Sequence, residues 1–89
     1  MRDFTLLESK LKALANNRRL RILHHLKKKH SVTVSALAKV LGISIEATSK
    51  HLSILKAAGI VRSKKRKLYV TYRLALHQDP LVKHILKRL

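Results

Sequence analysis

The chain has 89 residues, and 21 Lys and Arg against four Asp and Glu give it a formal charge of +17. Its apolar content of 46% is enough for one small core, so the composition argues against disorder and predicts a single domain over residues 1–89. It has no cysteine and only 3% aromatic residues. These numbers exclude thiolate metal sites, argue against base stacking on an aromatic platform, and indicate a polyanionic partner.

Other features indicate where the protein works. No apolar run approaches the roughly 20 residues of a membrane span, and the first ten residues lack the apolar stretch of a signal peptide. We therefore expect a cytoplasmic protein with no membrane partner.

Two helices are predicted before residue 30. Asp3 is a candidate N-cap for the first, over 3–15, and Asn16 can cap the second, over 17–29. The first helix carries one apolar stripe, because the spacing of its members is three, four and three: Phe4, Leu7, Leu11 and Leu14.

A helix-turn-helix pattern follows. Thr33 can cap a helix over 34–41, and Gly42 supplies the left-handed residue that reverses the chain. Ser44 then caps a helix over 45–58. The side chains that we expect to anchor this second helix are Leu52, Ile54 and Leu55.

Two strands are predicted next, over 60–66 and 67–75. The second alternates, which predicts one face made of Leu68, Val70, Tyr72 and Leu74. Five cations crowd this ribbon, and none of the usual turn-forming residues accompanies them, so they are predicted to contact phosphates or the minor groove: Arg62, Lys64, Lys65, Arg66 and Lys67.

Asp79 and Pro80 are typical of a helix start, and they predict a last helix over 81–89. Together with the first helix it carries more apolar side chains than a chain of this size can easily bury, which predicts a homodimer. The interface residues that we expect are Phe4, Leu7, Leu11, Leu14, Leu81, Val82, Ile85 and Leu89.

Metal binding and catalysis have little support. The six histidines form no i, i+3 or i, i+4 pair, and carboxylate partners are scarce. Four scattered acids also cannot supply the oriented base that a nucleophile needs. We expect no metal, no cofactor and no enzymatic activity.

Three segments resemble the ArsR-type family of small dimeric repressors. LKALANNRRLRILHHL (11–26) is similar to the second helix of that family, and LAKVLGISIEATSKHLSILKAAGIVRS (37–63) to its recognition module. Tyr72-Arg73-Leu74 matches the end of its second wing strand. Two positions differ from the family pattern, since Arg66-Lys67 replaces a wing-tip glycine and Thr48 replaces a core-facing aliphatic residue.

The resemblance implies a recognition helix that faces double-stranded DNA. Its DNA-facing residues would be Ser44, Glu46, Ala47, Ser49 and Lys50. For His51, the residue pattern leaves open both a DNA contact and a packing role. The metal-sensing versions of the family match poorly, because the chain lacks their cysteine pair and because His77, Asp79 and His84 do not reproduce their last-helix site.

The sequence thus predicts an α+β fold, mostly α, with a winged helix-turn-helix. Its parts are a helix-turn-helix at about 34–58, a two-stranded wing at about 60–75, and dimerisation helices at about 3–15 and 80–89. The expected function is a sequence-specific DNA-binding regulator, a homodimeric repressor without an identifiable effector. Two alternatives remain: a nucleoid-type architectural protein that coats DNA by charge, and a protein-binding winged helix.

Overall fold

A computed structural model describes residues 2–89, and Met1, part of the predicted domain over 1–89, lies outside them. The described residues form five helices and three strands, namely α1 Thr5–Leu14, α2 Asn17–Lys28, β1 Val32–Thr33, α3 Val34–Leu41, α4 Ile45–Ala57, β2 Val61–Lys65, β3 Val70–Leu74 and α5 Pro80–Lys87. The strands make one antiparallel sheet in the order β1-β3-β2. The predicted class, an α+β winged helix-turn-helix that is mostly helical, is confirmed.

Strand β1 is an addition to the two-stranded wing that the sequence predicts. Residues 31–33 were expected to form only a link, but Val32 pairs with Tyr72 and Thr33 with Thr71. A two-residue strand has no periodicity of its own, and its pairing partners lie some forty residues further along the chain. The sheet therefore connects the start of α3 to the wing.

Side-chain caps begin four of the helices as predicted, and the cap of α4 at Ser44 is described with its site below. The accepting oxygens and the backbone donors are Asn16 Oδ1 with Arg19 N at 3.1 Å, Thr33 Oγ1 with Ala36 N at 3.1 Å, and Asp79 Oδ1 with Leu81 N at 2.8 Å. The prediction for Asp3 is wrong, because α1 begins at Thr5 with Phe4 in the N-cap position and without a side-chain cap. Asp3 instead accepts a hydrogen bond from Thr5 N at 2.9 Å, before the helix.

All five helices and the sheet contribute to one core. Its largest fully buried side chains are Ile22, Leu23, Leu37, Leu52, Leu55, Ile60, Val61, Val82 and Thr48. Two predictions about apolar side chains are wrong. Ile54, expected to anchor α4, is exposed because it lies on the flank of that helix. Leu68, predicted to share a strand face with Val70, Tyr72 and Leu74, lies outside β3 because the chain turns between Lys65 and Val70.

Every helix in residues 2–89 is too short or too polar to cross a membrane.

Gly42 sets the turn between α3 and α4. Its φ of 69° lies in the left-handed region, and its N–H donates to Ala38 O at 2.9 Å. Apart from its two chain neighbours, a Cβ added there would meet no atom of the described chain within 4 Å, so the backbone conformation alone requires glycine.

Replacing Gly42 with alanine should therefore lower the free energy of unfolding by about 1–2 kcal/mol, the cost of a left-handed L-residue. Asparagine tolerates this conformation, so Gly42→Asn is the matched control and should lose less. Urea unfolding of the three proteins measures both changes. A Gly42→Ala variant as stable as the original chain would contradict this explanation of the turn.

Candidate nucleic-acid interface

Helix α4 is held by its first turn and by its inward side. Ser44 Oγ accepts from Ala47 N at 3.1 Å, which confirms the predicted cap. Thr48, which replaces the aliphatic residue of the family pattern, is fully buried, and its Oγ1 donates to Ser44 O at 2.8 Å. Because this hydroxyl is satisfied within the helix, a polar residue is tolerated in the core. Leu52 and Leu55 complete the buried side.

The opposite side of α4 is open to solvent. Glu46 and Lys50 are exposed there, four residues apart and therefore on one face of the helix. Ala47 and Ser49 are half-buried and lie on the two flanks of that face, and Ser44 is exposed at the helix start. All five residues thus lie on the accessible side or flanks of one rigid helix.

The wing carries the five predicted cations, and all of them are exposed: Arg62, Lys64, Lys65, Arg66 and Lys67. Strands β2 and β3 pair from Val61 with Leu74 to Lys65 with Val70. One further hydrogen bond, from Arg66 N to Tyr69 O at 2.8 Å, closes the ribbon. The wing tip is therefore the two-residue connection Lys67–Leu68, and within residues 2–89 only Gly42 and Gly59 have a positive φ. The turn closes without the glycine that is usual in the family.

The wing is tied to the C-terminal end of α4. Ile60 N donates to Leu55 O at 3.0 Å, and Ala75 N donates to Ile60 O at 3.0 Å. Gln78 Nε2 donates to Ile60 O at 2.9 Å and to Ala75 O at 3.0 Å. These bonds fix the base of the wing against the C-terminal end of α4.

His51 makes a contact that the sequence could not reveal. Its Nδ1 lies 3.1 Å from Arg19 Nη1. Since a guanidinium only donates, Nδ1 accepts and the imidazole is neutral with its proton on Nε2. Arg19 Nε also donates to Ala13 O at 2.7 Å, and Nη2 to Lys12 O at 3.1 Å. One arginine thus joins the C-terminal end of α1 to the middle of α4, which supports the packing reading of His51.

Lys10 makes a second contact between the same two helices. Its Nζ donates to Ala58 O at 2.8 Å, at the C-terminal end of α4. Cations suit the exposed carbonyls at a helix end. Sequence reasoning missed Lys10 and Arg19 because their partners are up to 48 residues away. Both cations serve the position of α4 and are not simply part of a solvated surface.

The terminal helices expose part of their predicted apolar stripe. Phe4, Leu7 and Leu11 are exposed on one face of α1. Their companion Leu14 is buried in the core of the same chain, as is Val82 of α5. Half-buried side chains make up the rest of the predicted set: Leu81, Ile85 and Leu89.

No group of three or more His, Asp or Glu in residues 2–89 is arranged to hold a metal ion. The described structure therefore offers no candidate metal centre near α4 or the wing.

Comparisons with known proteins agree with a helix-turn-helix in this part of the chain. A family model described as a helix-turn-helix domain matches residues 14–64. Among solved structures, HlyU from Vibrio cholerae has 33% identity and a TM-score of 0.79, with 94% of this chain and 87% of that chain covered. Comparison with curated protein sequences gives no match.

Two further structures are similar. The homodimeric winged helix-turn-helix DNA-binding domain Mb0332 from Mycobacterium bovis, a possible ArsR-family transcriptional regulator, has 29% identity and a TM-score of 0.80, covering 96% of this chain and 75% of that one. The antimony-specific transcriptional repressor AntR has 33% identity and a TM-score of 0.73, covering 88% and 68%.

An exposed recognition helix joined to a cationic wing defines a winged-helix DNA-binding protein. The family match and the similar structures identify the protein more narrowly than this class. The chain belongs to the ArsR family of winged helix-turn-helix regulators, and it is a DNA-binding transcriptional regulator.

The contact between Arg19 and His51 should make stability depend on pH. Partial burial, and next the positive charges of Arg19 and Arg18, lower the pKa of His51 below its ordinary value of about 6.5. The unfolded chain therefore binds the proton first as pH falls, so the folded state should lose stability below about pH 6.5. His51→Gln keeps an acceptor without a titrating group, and its melting temperature should fall less between about pH 7.5 and 5.5.

The matched control for losing one imidazole is His30→Gln, at an exposed position outside this contact. Thermal melts at the two pH values compare the three proteins. An equal loss in His51→Gln and in the original chain would show that His51 does not carry the pH dependence.

Proposed function

We propose that the chain is a homodimeric repressor that binds specific sites in double-stranded DNA. Helix α4 enters the major groove, and the wing lies on the neighbouring minor groove and phosphates. The observation that carries this proposal is the rigid connection of two surfaces, since the open face of α4 and the exposed wing cations are joined through Ile60. One surface is suited to reading bases, the other to holding the backbone.

The proposed roles divide along the same line. Lys50 reaches a guanine edge or a phosphate from the middle of α4, and Ser44 and Glu46 lie near the groove at the helix start. Ala47 and Ser49 line the flanks of the face. We assign His51 to positioning α4, because its Nδ1 is engaged by Arg19. The wing set supplies sequence-independent affinity: Arg62, Lys64, Lys65, Arg66 and Lys67.

Repression, the lack of enzymatic activity and the localisation are proposed from the composition of the chain and from its similarity to known proteins. Similarity to AntR supports repression, although nothing in residues 2–89 supports a metal effector. A surface dedicated to DNA, together with four acidic residues in the whole chain, supports a protein that is not an enzyme. We place it in the cytoplasm, on the nucleoid, as a single winged-helix domain.

Dimerisation is proposed through the terminal helices. The exposed stripe Phe4, Leu7 and Leu11 is a continuous apolar face on α1, and a second copy would remove it from water. The partly buried side chains of α5 extend this face: Leu81, Ile85 and Leu89. Leu14 and Val82 support it from beneath, because both are buried within one protomer. Similarity to the homodimeric domain from Mycobacterium bovis favours the same arrangement.

An architectural protein that coats DNA is the second candidate. The formal charge of +17 favours it, because cations alone bind any duplex. An ordered α4 with an open face favours the regulator, since coating requires no fixed groove fit. The two functions differ in what Lys50 contributes.

Lys50→Ala should cost about 1–3 kcal/mol on the specific site and little on random duplex, because a base contact is lost. Lys64→Ala combined with Lys65→Ala should weaken binding to the specific site and to random duplex by similar factors. It should also reduce the slope of log affinity against log salt concentration (the salt slope) by about one unit per cation removed. Competition titrations against a scrambled site, repeated at several salt concentrations, measure both effects.

Lys87→Ala is the matched control, because it removes an exposed cation from α5, outside the proposed DNA-binding surface. It should leave the preference for the specific site unchanged. If Lys50→Ala lowers the affinity for all sequences equally, α4 reads no base at this position, and the architectural function is favoured.

Leu7→Asp combined with Leu11→Asp should give folded monomers, because both side chains are exposed in the protomer and their charges would repel across the interface. Specific binding should weaken more than non-specific binding, since two half-sites about 34 Å apart are then no longer read together. Light scattering gives the mass, and circular dichroism verifies the fold.

Leu6→Asp is the control, at an exposed position of α1 outside the stripe, and it should remain dimeric. An original chain that is monomeric at micromolar concentration, or a double variant that stays dimeric, would contradict the proposed interface.

A further inference from the structure

The tip of the wing carries an apolar side chain that the roles described above leave without a function. Leu68 is 95% exposed, which makes it the most exposed large apolar residue of the described chain. A single exposed leucine is ordinary on protein surfaces. Leu68 differs in its place, because it occupies the two-residue connection at the end of the β2–β3 ribbon.

The local backbone holds Leu68 away from the core. The last strand pair joins Lys65 to Val70, and Arg66 N donates to Tyr69 O just beyond it. Lys67 and Leu68 are left as the connection, and neither has a positive φ. The alternation that continues through β3 therefore stops before Leu68, and this side chain has no place on the inner face of the sheet.

The surroundings of Leu68 are cationic. Lys64, Lys65, Arg66 and Lys67 precede it and are all exposed, and Tyr69, which follows it, is also exposed. An apolar tip bordered by cations matches the way in which proteins enter the minor groove, where cations hold the two backbones and an apolar wedge enters between base pairs.

We propose that Leu68 is a minor-groove wedge, which inserts between two base pairs and bends the duplex. This inference rests on the proposed binding of duplex DNA and adds to it a residue, a mode of contact and a deformation. Partial unstacking costs free energy that depends on the base step. The wing should therefore prefer flexible pyrimidine–purine steps, although Leu68 makes no hydrogen bond to a base.

Charge and area favour DNA over other occupants of the tip. A second copy of the wing would bring four like charges against four, so the tips of two chains repel each other. An anionic membrane fits the charge, but interfacial anchoring requires a broad apolar face, whereas the tip offers one leucine. The tip is also the far end of the ribbon whose base is bonded to α4 through Ile60, so the proposed entry of α4 into the major groove would bring the tip towards the same duplex.

Leu68→Ala tests the wedge, and its fold is not at stake because the side chain is exposed. Fluorescence energy transfer between the ends of a labelled duplex measures the bend, and titrations at several salt concentrations measure affinity and salt slope. We expect the original chain to bend its site by at least about 20°. The variant should bend it less and bind about tenfold more weakly, because apolar burial is lost.

The salt slope distinguishes the loss of an apolar contact at Leu68 from the loss of a phosphate contact. Leu68→Ala should leave it unchanged because no phosphate contact is removed. Leu76→Ala, which truncates a leucine of 84% exposure outside the wing, is the matched control and should bind and bend DNA like the original chain.

Three results would overturn the wedge. If Leu68→Ala binds and bends the site as the original chain does, the wedge fails while the proposed function stands. If the original chain binds no duplex, both fail. If Leu68→Ala loses binding to vesicles of anionic lipid but keeps its affinity for DNA, the tip belongs to a membrane contact.

Discussion

The structure depends on the burial of one side of α4. Thr48, Leu52 and Leu55 are fully buried, so the helix cannot rotate about its axis without exposing both leucines to water. The direction of every outward side chain follows from this constraint, because the helical period then fixes Glu46 and Lys50 on the open face. Specific contact with a groove requires such a fixed orientation.

The high positive charge is compatible with a small core because some cations bind helix ends. Arg19 and Lys10 hold carbonyl oxygens of α1 and of the residue that follows α4, so these two basic residues are used within the fold. The wing cations are exposed and remain available for phosphate. The same chain thus contains cations that position the recognition helix and cations that would bind the backbone of DNA.

Local signals could be predicted from the sequence, and contacts between distant residues could not. The caps at Asn16, Thr33 and Ser44 and the turn at Gly42 depend on residues within a few positions, and they agree with the structure. Strand β1, the contact of His51 with Arg19 and the exposure of Leu68 depend on pairing that no local pattern encodes. The recognition face could be placed because the helix and its buried anchors Leu52 and Leu55 were predicted, whereas the contacts of Arg19 and Lys10 that also hold the helix were missed.

The most direct measurement is the ratio of affinities of the dimer for its own promoter fragment and for random duplex of equal length, at fixed physiological salt. A regulator with base readout by α4 should prefer the promoter by a factor of about 10³ or more. A ratio close to one would contradict the central claim, because charge alone would then account for binding.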